Sequence, residues 1–76
     1  MKKYEALELI DKEHARAVSK FGAFHNAHEG LAVILEEFEE LKAEVFKKQS
    51  LYDIDKMRTE AKQLGAMALR FMVDIT

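Results

Sequence analysis

The chain has no cysteine, no proline and no tryptophan, and only three glycines. Without cysteine, disulfides, thiolate metal sites and a cysteine nucleophile are all excluded. With so few backbone breakers, long uninterrupted helices are favoured. Charge of one sign is also missing: 12 Lys and Arg face 14 Asp and Glu, for a net charge of −2. The basic residues are scattered, so the electrostatic footprint of a nucleic-acid binder is lacking and no nucleic acid polymer is expected as a partner. No apolar run approaches the ~20 residues of a membrane span, and Met1-Lys2-Lys3 has no apolar signal segment after it. The expectation is a soluble, cytoplasmic protein without a membrane partner. Its 76 residues allow one small domain, over residues 1–76. A chain this short buries only about 60% of its unfolded surface, so it is expected to gain burial by oligomerising.

What is present is helical periodicity. From Tyr4 to Lys20, Leu7, Ile10, His14, Ala17 and Phe21 recur in steps of three and four, with Lys12, Glu13, Arg16 and Lys20 largely on the other side. Gly22 suits a left-handed cap, and the short apolar connection Ala23-Phe24-His25 should pack down. Asn26 and Glu29 form a capping-box pattern opening a second helix, which runs to about Lys48. Its core stripe is Leu31, Ile34, Phe38, Leu41 and Val45, bordered by Gly30, Val33, Glu37, Glu40 and Glu44. After a turn over residues 49–52, Asp53, or alternatively Ser50, caps a third helix from Ile54 to about Ile75. Its core stripe is Met57, Ala61, Leu64, Ala68, Phe71 and Ile75, beside a second one of Lys56, Glu60, Gln63, Met67, Arg70 and Asp74.

The fold class is therefore all-α, with three helices: a long antiparallel helical hairpin plus an N-terminal helix. Past Gly65 the third helix is apolar nearly all round, which implies burial on more than one side. An oligomeric helical bundle, a homodimer or homotetramer, would provide it.

Chemistry concentrates in Glu36-Glu37-Phe38-Glu39-Glu40, where four of five residues are carboxylates. At about 6 Å and an effective dielectric near 20, one pair of like charges costs roughly 3 kcal/mol, and under about 1 kcal/mol in full solvent. The cluster is either solvated or neutralised by a cation. Lys42 can relieve Glu39, and Lys47 and Lys48 can relieve Glu44, but Glu36, Glu37 and Glu40 have no basic neighbour at helical spacing. Folding the hairpin about residue 51 sets Glu60 and Gln63 opposite Glu37 and Glu40. Oxygen ligands converging from two helices suit a hard divalent cation, with positions left for phosphate.

Glu36-Glu37-x-x-Glu40, followed after nineteen residues by Glu60, resembles the E-E-x-x-E … E-x-x-D signature of the MazG-like all-α nucleoside triphosphate pyrophosphohydrolases. The flanking text, His28 to Glu37 and Glu60 to Gln63 with Ala66 to Phe71, is similar to small members of that group. The similarity spans about Phe24 to Asp74. The resemblance implies Mg²⁺-dependent hydrolysis of a (d)NTP to monophosphate and pyrophosphate, a housekeeping activity, with Mn²⁺ as a possible substitute. It implies Glu37, Glu40 and Glu60 as metal ligands and Glu36 as the group that orients or deprotonates water. The chain departs from the pattern at Gln63, where the family has Asp: an amide carbonyl can coordinate the metal but adds no charge. The alternative is a weakened or inactive member acting as a nucleotide-sensing or helical interaction module.

Other side chains carry weaker signals. Lys56 and Arg70 share the Glu60 stripe and either meet phosphates or pair with the glutamates. His25 and His28 lack a third ligand at convincing spacing, and His14 reads as a core histidine. No Ser/His/Asp set or phosphate-cradling glycine loop can be assembled.

Overall fold

A computed structural model describes residues 1–76 as three α-helices and no strands: α1 (Lys3–Phe21), α2 (Ala27–Val45) and α3 (Ile54–Ile75). A single 3-10 turn over Gln49–Leu51 precedes α3. No helix is long and apolar enough to cross a membrane. The axis of the molecule is α3, which packs against both other helices, while α1 and α2 make no close approach to each other. Ile10 meets Gly65 and the Gly22 carbonyl meets Arg70, so α1 runs in the same sense as α3. Gly30 meets Phe71 while Glu44 meets Lys56, so α2 runs antiparallel to it.

The caps fall where the sequence places them. The Asn26 side chain accepts from the Glu29 amide at 2.9 Å, and the Asp53 side chain from the Lys56 amide at 3.0 Å. Glu29 reaches back one residue further than a capping box requires, accepting from the His25 amide at 3.3 Å and bonding the His25 ring at 2.8 Å. The second helix stops three residues short of the expected Lys48. Phe46 caps it through its amide to the Lys42 carbonyl, and the Tyr52 hydroxyl donates to the Val45 carbonyl at 2.9 Å. Gly22 takes φ 73° and ψ −160°. This is not the left-handed helical cap expected but an extended positive-φ geometry open essentially to glycine alone.

The core is small: Ala17, Phe24, Ala66 and Met67, with Ile10, Val33, Ile34, Phe71 and Ile75 packed around it. It also lies one step round the helices from where apolar periodicity puts it. The α2 side facing α3 centres on Gly30, Glu37 and Glu44, whereas Leu31 and Phe38 of the expected core stripe are exposed. On α3 the buried residues are Ala66, Met67 and Arg70, and Ala68 of the expected stripe is exposed. Two features pull the helices into this register. A Cβ at Gly30 would stand 2.7 Å from Phe71 Cδ2, so only glycine lets the two elements approach this closely. The inward polar side chains also find partners: Lys47 and Lys56 lie 2.9 and 3.5 Å from the Glu44 carboxylate. Those partners offset the cost of placing charge against the core.

Candidate metal centre and cleft

Glu37 and Glu40 project from consecutive turns of α2 and Glu60 from the facing turn of α3. Carboxylate oxygens of all three lie within 4.8 Å of one another. Glu37 and Glu60 are half-buried and Glu40 is exposed. The Glu37 carboxyl is pushed up to about 7, first by burial and then by the charges of Glu40 and Glu60. Glu60 is raised too, by burial and by Glu40, with Lys56 pulling the other way. Held this closely, the carboxylates retain a proton near neutrality or need a positive charge between them.

Gln63, on the next turn of α3, lies between two of the three. With its amide nitrogen turned toward them it donates to Glu37 Oε2 at 3.2 Å and to Glu60 Oε2 at 3.1 Å. The residue that departs from the E-x-x-D pattern therefore sits inside the cluster and supplies hydrogen bonds where an Asp would supply charge.

Beside the cluster, a cleft of about 430 Å³ opens over α3 between α1 and α2. That falls within the range of about 300–1,000 Å³ usual for small-molecule sites. One end holds Glu36 and Glu37 with the Gln63 amide, the apolar lining is Ala17, Phe21, Phe24, Val33 and Met67, and the polar rim is Glu13, Arg16, Glu29 and Arg70. Exposed Glu36 is thus on the cleft wall next to Glu37.

Lys56 and Arg70 are drawn apart. Lys56 lies at the α3 N-terminal end, 3.5 Å from Glu44 and close enough to Glu60 to lower its pKa. Glu44 itself is held below the usual carboxylate range, chiefly by the Lys47 hydrogen bond. Arg70 is only 4% exposed and lines the other end of the cleft. Its guanidinium donates to the Gly22 carbonyl at 2.8 Å and stacks 4.0 Å from the Phe24 ring. Its Nε lies 3.9 Å from Asp74, which accepts from the Phe24 amide at 2.9 Å. Arg70 and Asp74 together fasten the α1–α2 connection, and Asp74 is remote from the three glutamates.

Sequence reasoning missed Arg16 and Glu13, which periodicity put on the outer side of the first helix. Glu13 is buried and accepts from Arg16 at 2.7 Å on the cleft wall. An Arg at the i+3 position from a Glu was the available signal, but such pairs are common on solvated helices. His25 is occupied by Glu29, His28 is exposed, and His14 is half-buried with no partner for Nε2.

The chain matches no family model, no curated protein and no solved structure. The likeness to the MazG-like group therefore rests on the motif residues and the sequence that flanks them.

Proposed function

We propose that this chain is a Mg²⁺-dependent nucleoside triphosphate pyrophosphohydrolase of the cytoplasm, converting a (d)NTP to (d)NMP and pyrophosphate, and working as a homo-oligomer. The observation that carries the reading is the convergence of Glu37, Glu40 and Glu60 within 4.8 Å, at the mouth of a cleft wide enough for a nucleoside. The donor set fits a hard divalent cation: three carboxylates fill half of an octahedral shell and leave room for waters and phosphate oxygens. The elevated pKa of Glu37 fits it too, since a cation would take the place of the retained proton.

Glu37, Glu40 and Glu60 would hold Mg²⁺, or Mn²⁺ in its place, with the Gln63 carbonyl able to join them once its amide rotates. When bound, the metal would offset triphosphate charge and lower the pKa of water. Glu36, exposed on the cleft wall, orients the attacking water or takes its proton. Arg16 on the rim offers a cation to the polyanion, while Lys56 tempers the charge at Glu60. Phe21, Phe24, Val33 and Met67 give the base an apolar wall.

One observation favours a second reading. The Gln63 amide beside Glu37 and Glu60 stands where a charged ligand would, leaving the weakened metal site that a nucleotide-sensing or helical interaction module would keep. Pyrophosphate release across a (d)NTP panel separates the two. An enzyme turns over at least one nucleotide with Mg²⁺, falls to background as Glu37→Gln, and gains rate as Gln63→Asp. Metal binding without turnover in either the parent or Gln63→Asp supports the second reading. Neither turnover nor a metal-dependent shift in melting temperature would sink both.

A further inference from the structure

We infer that the cleft selects ribonucleoside over deoxyribonucleoside triphosphates, through the Glu13 carboxylate accepting a hydrogen bond from the 2′-hydroxyl of the sugar. The inference rests on the nucleotide reading of the cleft and names the sugar that reading leaves open. Glu13 is a cleft-wall carboxylate with no part in holding the metal. It is 7% exposed, and of its two oxygens only Oε2 has a protein partner, the Arg16 Nε at 2.7 Å. Oε1 receives no protein donor, yet it is not sealed from solvent, so it opens into the cleft that Glu13 lines. The other rim carboxylate is already engaged, since Glu29 accepts from the His25 amide and bonds the His25 ring. A carboxylate paired with arginine can only accept, and the Arg16 bond fixes the direction in which Oε1 is presented.

The register of the helices sets Glu13 at the level of the sugar. Along α3, Glu37 lies opposite Gln63 and Gly30 opposite Phe71, with Phe24 beside Gly30, while Ile10 of α1 lies opposite Gly65. Since α1 runs in the same sense as α3, Glu13 is level with about residue 68, roughly 7 Å along the axis from the level of Glu37. From Phe71 it is only about three residues away, or roughly 4 Å. A nucleotide with its phosphates at Glu37 and its base on Phe21 and Phe24 therefore passes Glu13 with its sugar. Glu13 is nearer the aromatic end, and the sugar hydroxyl on that side is the 2′, whose carbon adjoins the one that carries the base. Acceptance by a carboxylate from the ribose 2′-hydroxyl is a recurrent way of holding nucleotides. In a deoxynucleotide Oε1 would face a methylene group and stay unpaired, which is how a site built for a hydroxyl rejects the analogue that lacks it.

Equilibrium binding with Mg²⁺ tests this without calling on turnover. The probes are the α,β-methylene analogues of ATP, GTP, CTP and UTP, which resist cleavage to pyrophosphate, each against its 2′-deoxy form. For the base it binds best, the parent chain should hold the ribose form about ten- to a hundredfold more tightly, the range of one hydrogen bond to a charged group. The 2′-fluoro forms, which cannot donate, should bind like the deoxy forms, while 3′-deoxy forms should bind like the ribose forms. Glu13→Met should keep its helical circular dichroism and bind both sugars alike. Should that variant unfold, the 2′-fluoro and 3′-deoxy comparisons on the parent chain decide the matter. Equal binding of the two sugars by the parent chain, a preference carried by the 3′-hydroxyl, or one that survives in folded Glu13→Met would overturn the inference and leave the pyrophosphohydrolase reading standing. Ribose-selective binding without pyrophosphate release from any natural nucleotide would overturn that reading and leave the inference standing. Binding of neither sugar would overturn both.

Discussion

Glu37 is the residue on which the electrostatics turn, and its titration has a definite sign. Its carboxyl rises from 4.5 to about 7 on folding. Between those values the folded chain holds a proton that the unfolded chain has released, so stability falls as pH rises through that window. Glu60, raised by burial and by Glu40, adds in the same direction. In chelator, the melting temperature should therefore fall between pH 5 and pH 8. Glu37→Gln should flatten that decline. Mg²⁺ should restore the melting temperature at the alkaline end and do little at the acidic end, where protons occupy the carboxylates. The other carboxyls with shifted pKa, Glu29 and Glu44, are lowered by His25 and Lys47 and titrate below this range. Most of the cluster was legible in the sequence, because hairpin geometry sets the facing turns to within a residue or two. That Gln63 donates to two of the carboxylates was not, because the spacing gives a residue's turn and not the direction of its amide.

At the scale of elements, the α1–α2 connection and the hairpin contact are the exacting places. Gly22 at φ 73° has open space around its Cα, so its constraint is the backbone alone. Gly22→Ala should cost about 1–3 kcal/mol in chemical denaturation, with the fold otherwise intact. Gly30→Ala should also destabilise, for the different reason that Phe71 and Phe24 must shift to admit the methyl group. Asp53→Ala removes an N-cap hydrogen bond and should cost about 1 kcal/mol. Asp74→Asn weakens the hold on the Phe24 amide, and it should loosen the cleft wall more than the helices. Amide hydrogen exchange checks this: faster exchange at residues 22–25 with α3 unchanged. The helix ends came close from caps alone, and α3 matches its expected span residue for residue. The facing register did not, since apolar periodicity marks the stripe that seeks cover without saying which neighbour covers it. Here Gly30 and the Glu44 ion pairs admitted the polar stripe, and Leu31 and Phe38 were left outside.

Over the whole molecule, α3 divides two surfaces of opposite character, a charged cleft and an apolar back. The sequence announced both when it made α3 apolar nearly all round yet set Glu60, Gln63 and Arg70 along one stripe. What it could not separate was a stripe that the chain itself covers from one that it leaves exposed, because the hydrophobic pattern is the same for each. Leu35 is exposed on the side of α2 away from the cleft, so Leu35→Glu should leave metal binding intact. Manganese titration followed by electron paramagnetic resonance reads the cleft most directly. The parent chain should bind one Mn²⁺ per chain with loss of the free-ion signal, displaced by Mg²⁺ and lost in Glu37→Gln. An undiminished free-ion signal at millimolar chain concentration, or equal binding by Glu37→Gln, would contradict a cation site between Glu37, Glu40 and Glu60.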